Sequence, residues 1–398
     1  MIKCRRCFRL AFSNRTRQIK PSAIRKMREL SEKMGNAIHL EQGEPDFKTP
    51  RHIVEAARAA MEEGSTHYTS IPGMLELRKA VADKLGRENG IDADPSQITM
   101  TTGTQEAMMV TALALLDPGE EALILDPYYP SYFEDTLLAE AVPVAVPLNE
   151  ERGYDVELEV LERKVTTKTK MIWMCNPSNP TGHVFSKNDL EIVAEVAQKH
   201  NLIVFSDEVY EKLIYDGARH ISMASLPGMR DRTITVNGFS KAYAMTGWRI
   251  GYFVAEKEIS AELSRIHYFA TMCANAISQR AALAALTGPQ GCVHEMVREY
   301  DRRRKRAMDE LNKIDRVHFV TPKGAFYVFP WFSNLKISDE ELAVYILQKT
   351  GVVTVPGSGF GKTGEQHLRI SYSVQSAQVE DAIRRIGQVL ENADDVSV

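Results

Sequence analysis

Helical and strand-like patterns alternate along most of the chain. A helix is predicted from Thr49 as its cap, through Pro50 in the first turn, to a stop at Gly64, because proline favours helix starts and glycine favours helix ends. A second helix is predicted over about 74–88. A third follows Gly103, over the letters TQEAMMVTALALL.

Short apolar runs lie between these helical patterns. Turn residues bound them and they are shorter than typical helices, so they are predicted to be buried strands of a mostly parallel sheet. The runs read EALILDP, VPVAVP, KMIWMC, LIVFSDE, TITVNGF and RIGYFV. After about Ile259 long helices take over, followed by short strands mixed with helices, which places a domain boundary near residue 285.

Length and composition fit this α/β pattern. A chain of 398 residues is too long for one average core, so two packed regions, or one large domain with an appendage, are expected. With 44% hydrophobic and 26% charged residues it reads as a soluble globular protein. The net charge of −4 gives no indication of nucleic acid, and no apolar run approaches the ~20 residues that span a bilayer. No nucleic-acid or membrane partner is therefore expected.

Cysteine usage favours a reducing compartment, and a cytoplasmic location is predicted. The five cysteines are an odd number without the density of a disulfide scaffold: Cys4, Cys7, Cys175, Cys273 and Cys292. The first two form a CxxC pair, but no second ligand pair or following βαβ unit accompanies it. We therefore predict no metal site.

The N-terminus is strongly basic. The first 28 residues hold ten Lys or Arg, and the first acidic residue is Glu29. Arg9 interrupts the apolar letters around Phe8, which argues against a secretory signal. Charge alone would also suit an organelle transit peptide, but serine is sparse. A mobile basic arm, or an upstream start codon, is the preferred interpretation.

Four short motifs stand at or just after the ends of predicted strands, where open α/β sheets bind ligands. TTGTQEA, at 101–107, combines a glycine with a helix start, which is an anion site or merely a cap. NPSNPTGHVF fixes an irregular turn through its prolines. In that turn the Asn179 amide can donate to a phenolic oxygen, unless the turn is only structural.

The other two motifs carry charged side chains. In FSDEVYEKL, Asp207 ends an apolar strand, a costly place for a carboxylate without a cationic partner, and Tyr210 follows three residues later. In GFSKAYAMTGWRIGYFV, Ser240 and Lys241 end a strand and Arg249 follows. Lysines at strand ends are commonly surface residues, but a desolvated one suits Schiff-base formation. Arginine can grip a phosphate bidentately.

Taken together and in order, these motifs resemble the class I/II aminotransferases, in the fold type I family of enzymes that use pyridoxal 5'-phosphate (PLP). The likeness runs from HLEQGEPDF through HYTSIPGMLELR, DPYYPSY and PKGAFYVF to LRISYS, and only about the first 17 residues lack a counterpart. It implies an α/β fold with a large domain, whose mostly parallel seven-stranded sheet lies between helices, plus a smaller α+β domain. The expected division is a mobile arm (1–17), a segment packing with the small domain (18–48), the large PLP-binding domain (49–285) and the small C-terminal domain (286–398).

The resemblance assigns roles around the cofactor ring, each at a matching motif position. Lys241 would carry PLP as a Schiff base and act as the catalytic base. Asp207 would pair with the protonated ring nitrogen. Tyr210 and Asn179 would hydrogen-bond the phenolate oxygen, and Tyr129, in DPYYPSY, would stack on the ring.

The resemblance also assigns the ends of the site. It implies that the cofactor phosphate is held by the Gly103 and Thr104 backbone, by Ser240 and by Arg249. It also implies a homodimer with shared active sites, in which Tyr68 reaches the phosphate of the neighbouring subunit. Arg369 would bind the substrate α-carboxylate, with Gly43 and Asn179 nearby. Lys20, in IKPSAIRKM, is a candidate for a distal carboxylate, or only an exposed arm residue.

Transfer of an amino group from an L-amino acid, aspartate or aromatic, to a 2-oxo acid such as 2-oxoglutarate is the expected activity. The alternatives within the fold are a carbon–sulfur lyase or another fold type I enzyme; a silent regulator would need an added DNA-binding module. The letters VVTVPGSGFGKTGE imitate a nucleotide-binding P-loop, but the motif needs glycine where Pro356 stands.

Overall fold

The computed structural model describes residues 12–32, 34–333 and 336–391. In chain order the helices are α1 (Asn14–Gln18), α2 (Ala23–Ser31), α3 (Arg51–Glu62), α4 (Leu75–Lys84), α5 (Thr104–Leu115), α6 (Pro130–Leu138), α7 (Leu158–Glu162), α8 (Lys187–Lys199), α9 (Lys257–Thr271), α10 (Ala276–Thr287), α11 (Gly291–Leu311), α12 (Asp339–Thr350) and α13 (Ser376–Glu391). The strands are β1 (Ile38–His39), β2 (Ile98–Thr101), β3 (Glu121–Asp126), β4 (Val142–Pro147), β5 (Thr169–Cys175), β6 (Ile203–Asp207), β7 (Thr233–Gly238), β8 (Gly251–Val254), β9 (Val317–His318), β10 (Tyr327–Val328), β11 (Trp331–Phe332), β12 (Val352–Val353), β13 (Val355–Pro356) and β14 (Leu368–Ser371).

A seven-stranded sheet forms the centre of the molecule, in the order β2-β8-β7-β6-β5-β3-β4. Only β8 runs against its neighbours, so the predicted α/β fold with a mostly parallel sheet is confirmed. The six apolar runs in the sequence correspond to β3–β8. The seventh strand, β2, is not among those runs.

Both faces of this sheet are buried, which explains why its strands read as continuous apolar runs rather than alternating ones. Along β5, Met171 and Trp173 pack into one core cluster, which includes side chains of α5 and α6. The residues between and after them, Ile172 and Met174, pack into a second cluster with α8. The side-chain period of two therefore distributes each strand between two helical layers.

Two helix boundaries differ from prediction. Helix α3 begins at Arg51 with Pro50 as its cap, and no side chain caps it. Thr49 does not cap because its hydroxyl donates to the Ala244 carbonyl oxygen (2.7 Å) and accepts from Trp248 Nε1 (2.9 Å). The predicted helix over 74–88 is α4 followed by a π-helical turn, Leu85–Asn89, which ends at Gly90.

The C-terminal part combines α11, α12 and α13 with short strands. Strands β10, β14 and β13 form an antiparallel sheet, β9 pairs with β11, and β12 pairs in parallel with β1 from the N-terminal segment. Helix α2 also contacts this part, where Lys26 pairs with Glu340 at 2.8 Å. The N-terminal segment is thereby attached to the C-terminal strands.

The predicted mobile arm lies mostly outside the described residues, as do Cys4 and Cys7. Its described portion includes α1, where Arg15 approaches Glu140, in the turn between α6 and β4, at 3.5 Å. In the part of the chain that the structure describes, no helix combines the length and the apolar character needed to cross a bilayer.

Candidate active site

A cavity of about 370 Å³ opens at the carboxyl ends of the central strands. Ten of the twelve site residues predicted from the sequence line it: Gly43, Thr104, Tyr129, Asn179, Asp207, Tyr210, Ser240, Lys241, Arg249 and Arg369. These residues are spread over more than three hundred positions of the sequence, and the fold brings them together at one edge of the sheet. The two others are Gly103, which lies against Arg249, and Tyr68, which lies elsewhere.

Lys241 follows β7 and is half-buried at the cavity floor. Its Nζ donates to the Gly43 carbonyl oxygen, an uncharged acceptor. Burial and the nearby Arg369 guanidinium lower the pKa of Lys241 to about 8, although Asp207 opposes this shift. A larger fraction of the amine is therefore neutral near pH 7 than for an ordinary lysine, as Schiff-base chemistry requires.

Asp207 ends β6 and is almost completely buried. Tyr132 donates its hydroxyl to Oδ2 at 2.8 Å, and the Val209 amide donates to Oδ1 at 3.2 Å. Burial raises the pKa of Asp207 to about 6, against the effect of these two hydrogen bonds. Among the described residues no cationic side chain forms an ion pair with it. A ligand with a protonated ring nitrogen would stabilise its charge.

Tyr132 was not predicted from the sequence, although it stands in the DPYYPSY motif three residues after Tyr129. Its ring stacks on Trp173 of β5, with centroids 5.4 Å apart, and this packing fixes the direction of its hydroxyl. Because helix α6 begins at Pro130, Tyr132 lies in the first turn and faces the sheet rather than the solvent. Only the three-dimensional path of α6 shows that this hydroxyl meets Asp207.

A second set of unpredicted side chains lies behind Asp207. Glu208, fully buried, accepts hydrogen bonds from Ser222 (2.7 Å), Ser206 (3.1 Å) and His220 (3.0 Å). These contacts hold the start of the segment that joins Asp207 to Tyr210. The sequence shows an acidic residue directly after Asp207, but the spacing of residues does not identify the hydrogen-bond partners of Glu208.

Tyr210 and Asn179 line the cavity just after the ends of β6 and β5. The Tyr210 hydroxyl is 2.7 Å from the hydroxyl of Tyr327, a residue of PKGAFYVF that the sequence did not single out. Tyr327 also explains Gly43, because a Cβ at that position would lie 2.7 Å from the Tyr327 hydroxyl oxygen. Glycine thus lets the backbone approach the cavity closely.

A group of anion-binding features meets at the end of β2. Gly103 has a φ of +78°, and a Cβ there would lie 2.5 Å from Arg249 Nη2, so the guanidinium rests on the glycine backbone. Helix α5 begins at Thr104, and Ser240 lines the same cavity. A helix N-terminus, hydroxyl groups and a guanidinium together suit a phosphate group.

Arg369 lies on β14, with 1% of its surface exposed. Its Nη1 donates to the Asn179 side-chain oxygen (3.1 Å) and its Nη2 donates to the Glu41 carbonyl oxygen (2.6 Å). Its Nε has no hydrogen-bond partner among the described residues. A buried guanidinium without a carboxylate partner suits an anionic group such as a substrate carboxylate.

The N-terminal segment forms one side of the cavity. We call this side the wall, and it consists of Ile24, Arg28, Glu41, Gln42 and Glu44. None of these five was predicted, and Lys20, which was considered, is not among the lining residues.

The charges along α2 differ in their pairing. Arg25 pairs with Glu29 at 2.7 Å, and Lys26 pairs with Glu340. Arg28, by contrast, forms no ion pair with any described residue. The guanidinium beside the cavity mouth is therefore free to meet an anionic ligand.

Tyr68 does not enter the cavity of its own chain. Its side chain is 81% exposed, and exposed apolar side chains of α9 and its own loop include Phe269 and Ile71. His267 of α9 contacts the Ile71 carbonyl oxygen, so these exposed apolar side chains belong to neighbouring elements, and a patch of this kind is typical of a surface that another molecule covers.

The residues present fit PLP. Arg249 occupies the space that a Cβ at Gly103 would fill, and Asp207 is a buried carboxylate with no ion-pair partner in the part of the chain that the structure describes. Lys241 lines the same cavity with a lowered pKa. In that arrangement Lys241 would hold the aldehyde carbon, Asp207 the ring nitrogen, Tyr210 and Asn179 the phenolate oxygen, and Arg249 with Thr104 and Ser240 the phosphate.

Comparison with known proteins gives a consistent set of matches. Residues 35–386 match the family model of aminotransferases of class I and II. An aromatic-amino-acid aminotransferase of Thermococcus litoralis and an aspartate aminotransferase of Pyrococcus abyssi are each 43% identical over 384 residues, covering 96% of this chain and 98% of each relative. The solved aspartate aminotransferase from Thermus thermophilus with maleate has a TM-score of 0.91 at 36% identity, covering 96% of this chain and 100% of that one.

Proposed function

The chain belongs to the class I and II aminotransferases and is a PLP-dependent transferase of amino groups, and we propose that its preferred donor is L-aspartate and its acceptor a 2-oxo acid such as 2-oxoglutarate. The fold type I architecture expected from the sequence is confirmed. The relatives named above are aminotransferases, and they give no support to the carbon–sulfur lyase alternative.

PLP, when bound, supplies the electron sink that makes the Cα proton of an amino acid removable. Asp207, buried beside the cavity, would pair with a protonated ring nitrogen. The Lys241 amine, with its pKa lowered to about 8, would be the base that accepts the Cα proton of the substrate. Tyr210 and Asn179 would hold the phenolate oxygen, and Tyr129 would pack against the ring. These roles are proposals that rest on the positions of the side chains around one cavity.

Arg369 orients the substrate. Its two Nη atoms already bind the Asn179 side chain and the Glu41 carbonyl oxygen, so the plane of the guanidinium is fixed before a ligand arrives. A carboxylate held by this group would be fixed in direction relative to Lys241, which lines the same cavity. Orientation of this kind favours proton removal over loss of the carboxylate.

The unpaired guanidinium of Arg28 at the cavity is the observation that supports aspartate as the donor. The two relatives of equal identity are named for different donors, so they do not separate an acidic from an aromatic side chain. Arg28 lines the cavity from α2, and no described acidic residue pairs with it. A guanidinium in that position favours a second carboxylate on the substrate.

Aromatic donors are the second candidate. Ile24 lies one helical turn from Arg28, and Met108 of α5 also lines the cavity, so an apolar side chain would find partners there. The same cavity can accept both kinds of donor if Arg28 turns its guanidinium toward the solvent.

We also propose a homodimer with shared active sites, a cytoplasmic location and the domain boundaries predicted from the sequence. The exposed Tyr68 supports the dimer, since it lies outside its own cavity and is free to reach the phosphate group in a neighbouring subunit. The free cysteines Cys175, Cys273 and Cys292 suit a reducing compartment. The change from α10, which ends at Thr287, to α11 and the short strands supports a boundary close to the predicted residue 285.

An absorbance titration tests the proposed donor. The purified holoenzyme is mixed separately with aspartate, glutamate, phenylalanine and tyrosine, with no 2-oxo acid present. Loss of the visible band of the lysine-bound cofactor should occur at the lowest concentration with aspartate. If phenylalanine or tyrosine bleaches the band at lower concentration than aspartate, the aromatic candidate replaces the first one.

A further inference from the structure

A fully buried histidine lies beside the turn that precedes α5. His267, on α9, has no exposed surface. Its Nδ1 is 2.7 Å from Glu106 Oε1, and its Nε2 is 3.1 Å from the Ile71 carbonyl oxygen. A carboxylate and a carbonyl oxygen are both acceptors, so both ring nitrogens face groups that need a donor. When the Glu106 carboxylate is ionised, the ring satisfies both contacts only if each ring nitrogen carries a proton.

Glu106 is the charged group that faces this ring. It stands in the first turn of α5, and its Oε2 accepts the Thr102 amide at 2.5 Å while Oε1 also accepts the Thr271 hydroxyl at 2.7 Å. Burial opposes its ionisation, but the hydrogen bonds from His267 and Thr102 keep the pKa of Glu106 below its ordinary value. The carboxylate is therefore ionised, and the ion pair lies in a nearly dry environment.

The position of Glu106 creates an electrostatic conflict. A carboxylate in the first turn stabilises its own helix, because it interacts with the positive end of the helix dipole. The same helix end, at Gly103 and Thr104, is proposed to hold the phosphate group of the cofactor, which needs that positive potential. A buried negative charge one turn away would weaken phosphate binding, since little solvent screens it.

We propose that His267, doubly protonated, neutralises Glu106 and so preserves the affinity of the Thr102–Thr104 turn for the cofactor phosphate. His267 is then a positioning residue, because it acts through Glu106 and touches neither cofactor nor substrate. The inference rests on the proposed function of Gly103, Thr104 and Arg249 as the phosphate site. Its second contact, to Ile71, also ties the loop that bears Tyr68 to the same turn.

A purely structural role for His267 makes a different prediction. If the ring matters only because it fills space and joins α9 to α5, then the double variant that lacks both His267 and Glu106 should bind the cofactor no better than the variant that lacks His267 alone. If its charge matters, the second change should repair the first. A double-variant series therefore separates the two explanations.

The experiment measures the binding of PLP and of pyridoxal to the full-length protein from which cofactor has been removed. Pyridoxal has the same ring and aldehyde but no phosphate, so the ratio of the two affinities isolates the phosphate contribution. In His267→Gln this ratio should fall about tenfold or more, as expected for one uncompensated buried charge. In Glu106→Gln the ratio should stay at or above the wild-type value, and in the double variant it should return to within about threefold of wild type.

Arg249→Gln is the reference variant, because it removes a proposed phosphate contact directly. If Arg249→Gln lowers the ratio but His267→Gln does not, the inference about His267 is overturned and the proposed site stands. If neither variant changes the ratio, the proposed phosphate site itself is wrong. A double variant that stays as weak as His267→Gln also overturns the charge explanation. Should His267→Gln fail to fold, Glu106→Gln decides, since a fall of the ratio in that variant contradicts the proposal.

Discussion

The two sides of the cavity are built in different ways. We call the first side the floor, which consists of Asp207, Ser240 and Lys241, at or just after the ends of β6 and β7. Neighbouring parallel strands hold this side in register, with Cys175 beside Asp207 and Asp207 beside Val236. The wall comes instead from α2 and the segment after β1, which are attached to the C-terminal strands. The floor is thus fixed by the sheet ladder, whereas the wall depends on contacts between distant segments.

The electrostatics of the two sides differ as well. Burial raises the pKa of Asp207 to about 6 and, together with Arg369, lowers that of Lys241 to about 8. On the wall Arg28 is exposed, where solvent screens its charge. Changes in the floor should therefore lower turnover with every donor alike, while changes in the wall should alter the ranking of donors. Four substitutions test this division.

Lys241→Ala should have the largest effect. The variant loses both the amine that binds the cofactor and the base that moves the proton, so turnover should fall about 10⁴-fold or more with all donors. The protein should still fold and bind PLP, without the visible band of the lysine-bound cofactor. Lys199→Ala, which removes an exposed lysine paired with Glu162, is the matched control. Near-normal turnover in Lys241→Ala would exclude this lysine as the catalytic residue.

Asp207→Ala should come next, with a loss of about 10³-fold in kcat that is similar for aspartate and phenylalanine. The ring nitrogen loses the buried carboxylate that keeps it protonated, and little else in the floor can replace a charge. Steady-state kinetics with both donors measure the loss, and Asp92→Ala, whose side chain is 99% exposed, serves as the control. A loss of only a few-fold would show that another group holds this proton.

The same division explains what the sequence could and could not predict. Asp207 ends β6 and Lys241 follows the end of β7 by three residues. Because the carboxyl ends of parallel strands converge by topology, local motifs were enough to place the two side chains together. The capping role of Thr49 was wrong because its hydroxyl binds across 195 positions to Ala244. Tyr132 was missed for the same reason, because its partner Asp207 lies 75 positions away. Arg28 was missed because no periodic pattern marks it, and α2 reaches the cavity only by packing on the C-terminal part.

Arg28→Gln should change the ranking of donors. Loss of a charge-assisted contact to the distal carboxylate, about 1.5–3 kcal/mol, should lower kcat/KM for aspartate about 10- to 100-fold. With phenylalanine the value should stay within about twofold, and the absorbance of the bound cofactor should not change. Arg25→Gln, one turn away and paired with Glu29, is the matched control. Equal losses with both donors would place Arg28 with the floor rather than the wall.

Tyr132→Phe should have the smallest effect. It tests whether the floor includes a residue on helix α6 rather than at the end of a strand. The substitution removes the 2.8 Å hydrogen bond to Asp207 and leaves the ring stacked on Trp173. That bond holds the pKa of Asp207 down, so its loss should raise the pKa further above 3.8 and leave less carboxylate ionised in weak acid. We expect kcat to fall about tenfold with all donors and the acid limb of the pH profile to move to higher pH. The control is Tyr154→Phe, because the Tyr154 hydroxyl is buried without a hydrogen-bond partner among the described residues. An unchanged acid limb would mean that the charge of Asp207 is set by its backbone contact and the cofactor alone, which would confine the floor to the strand ends.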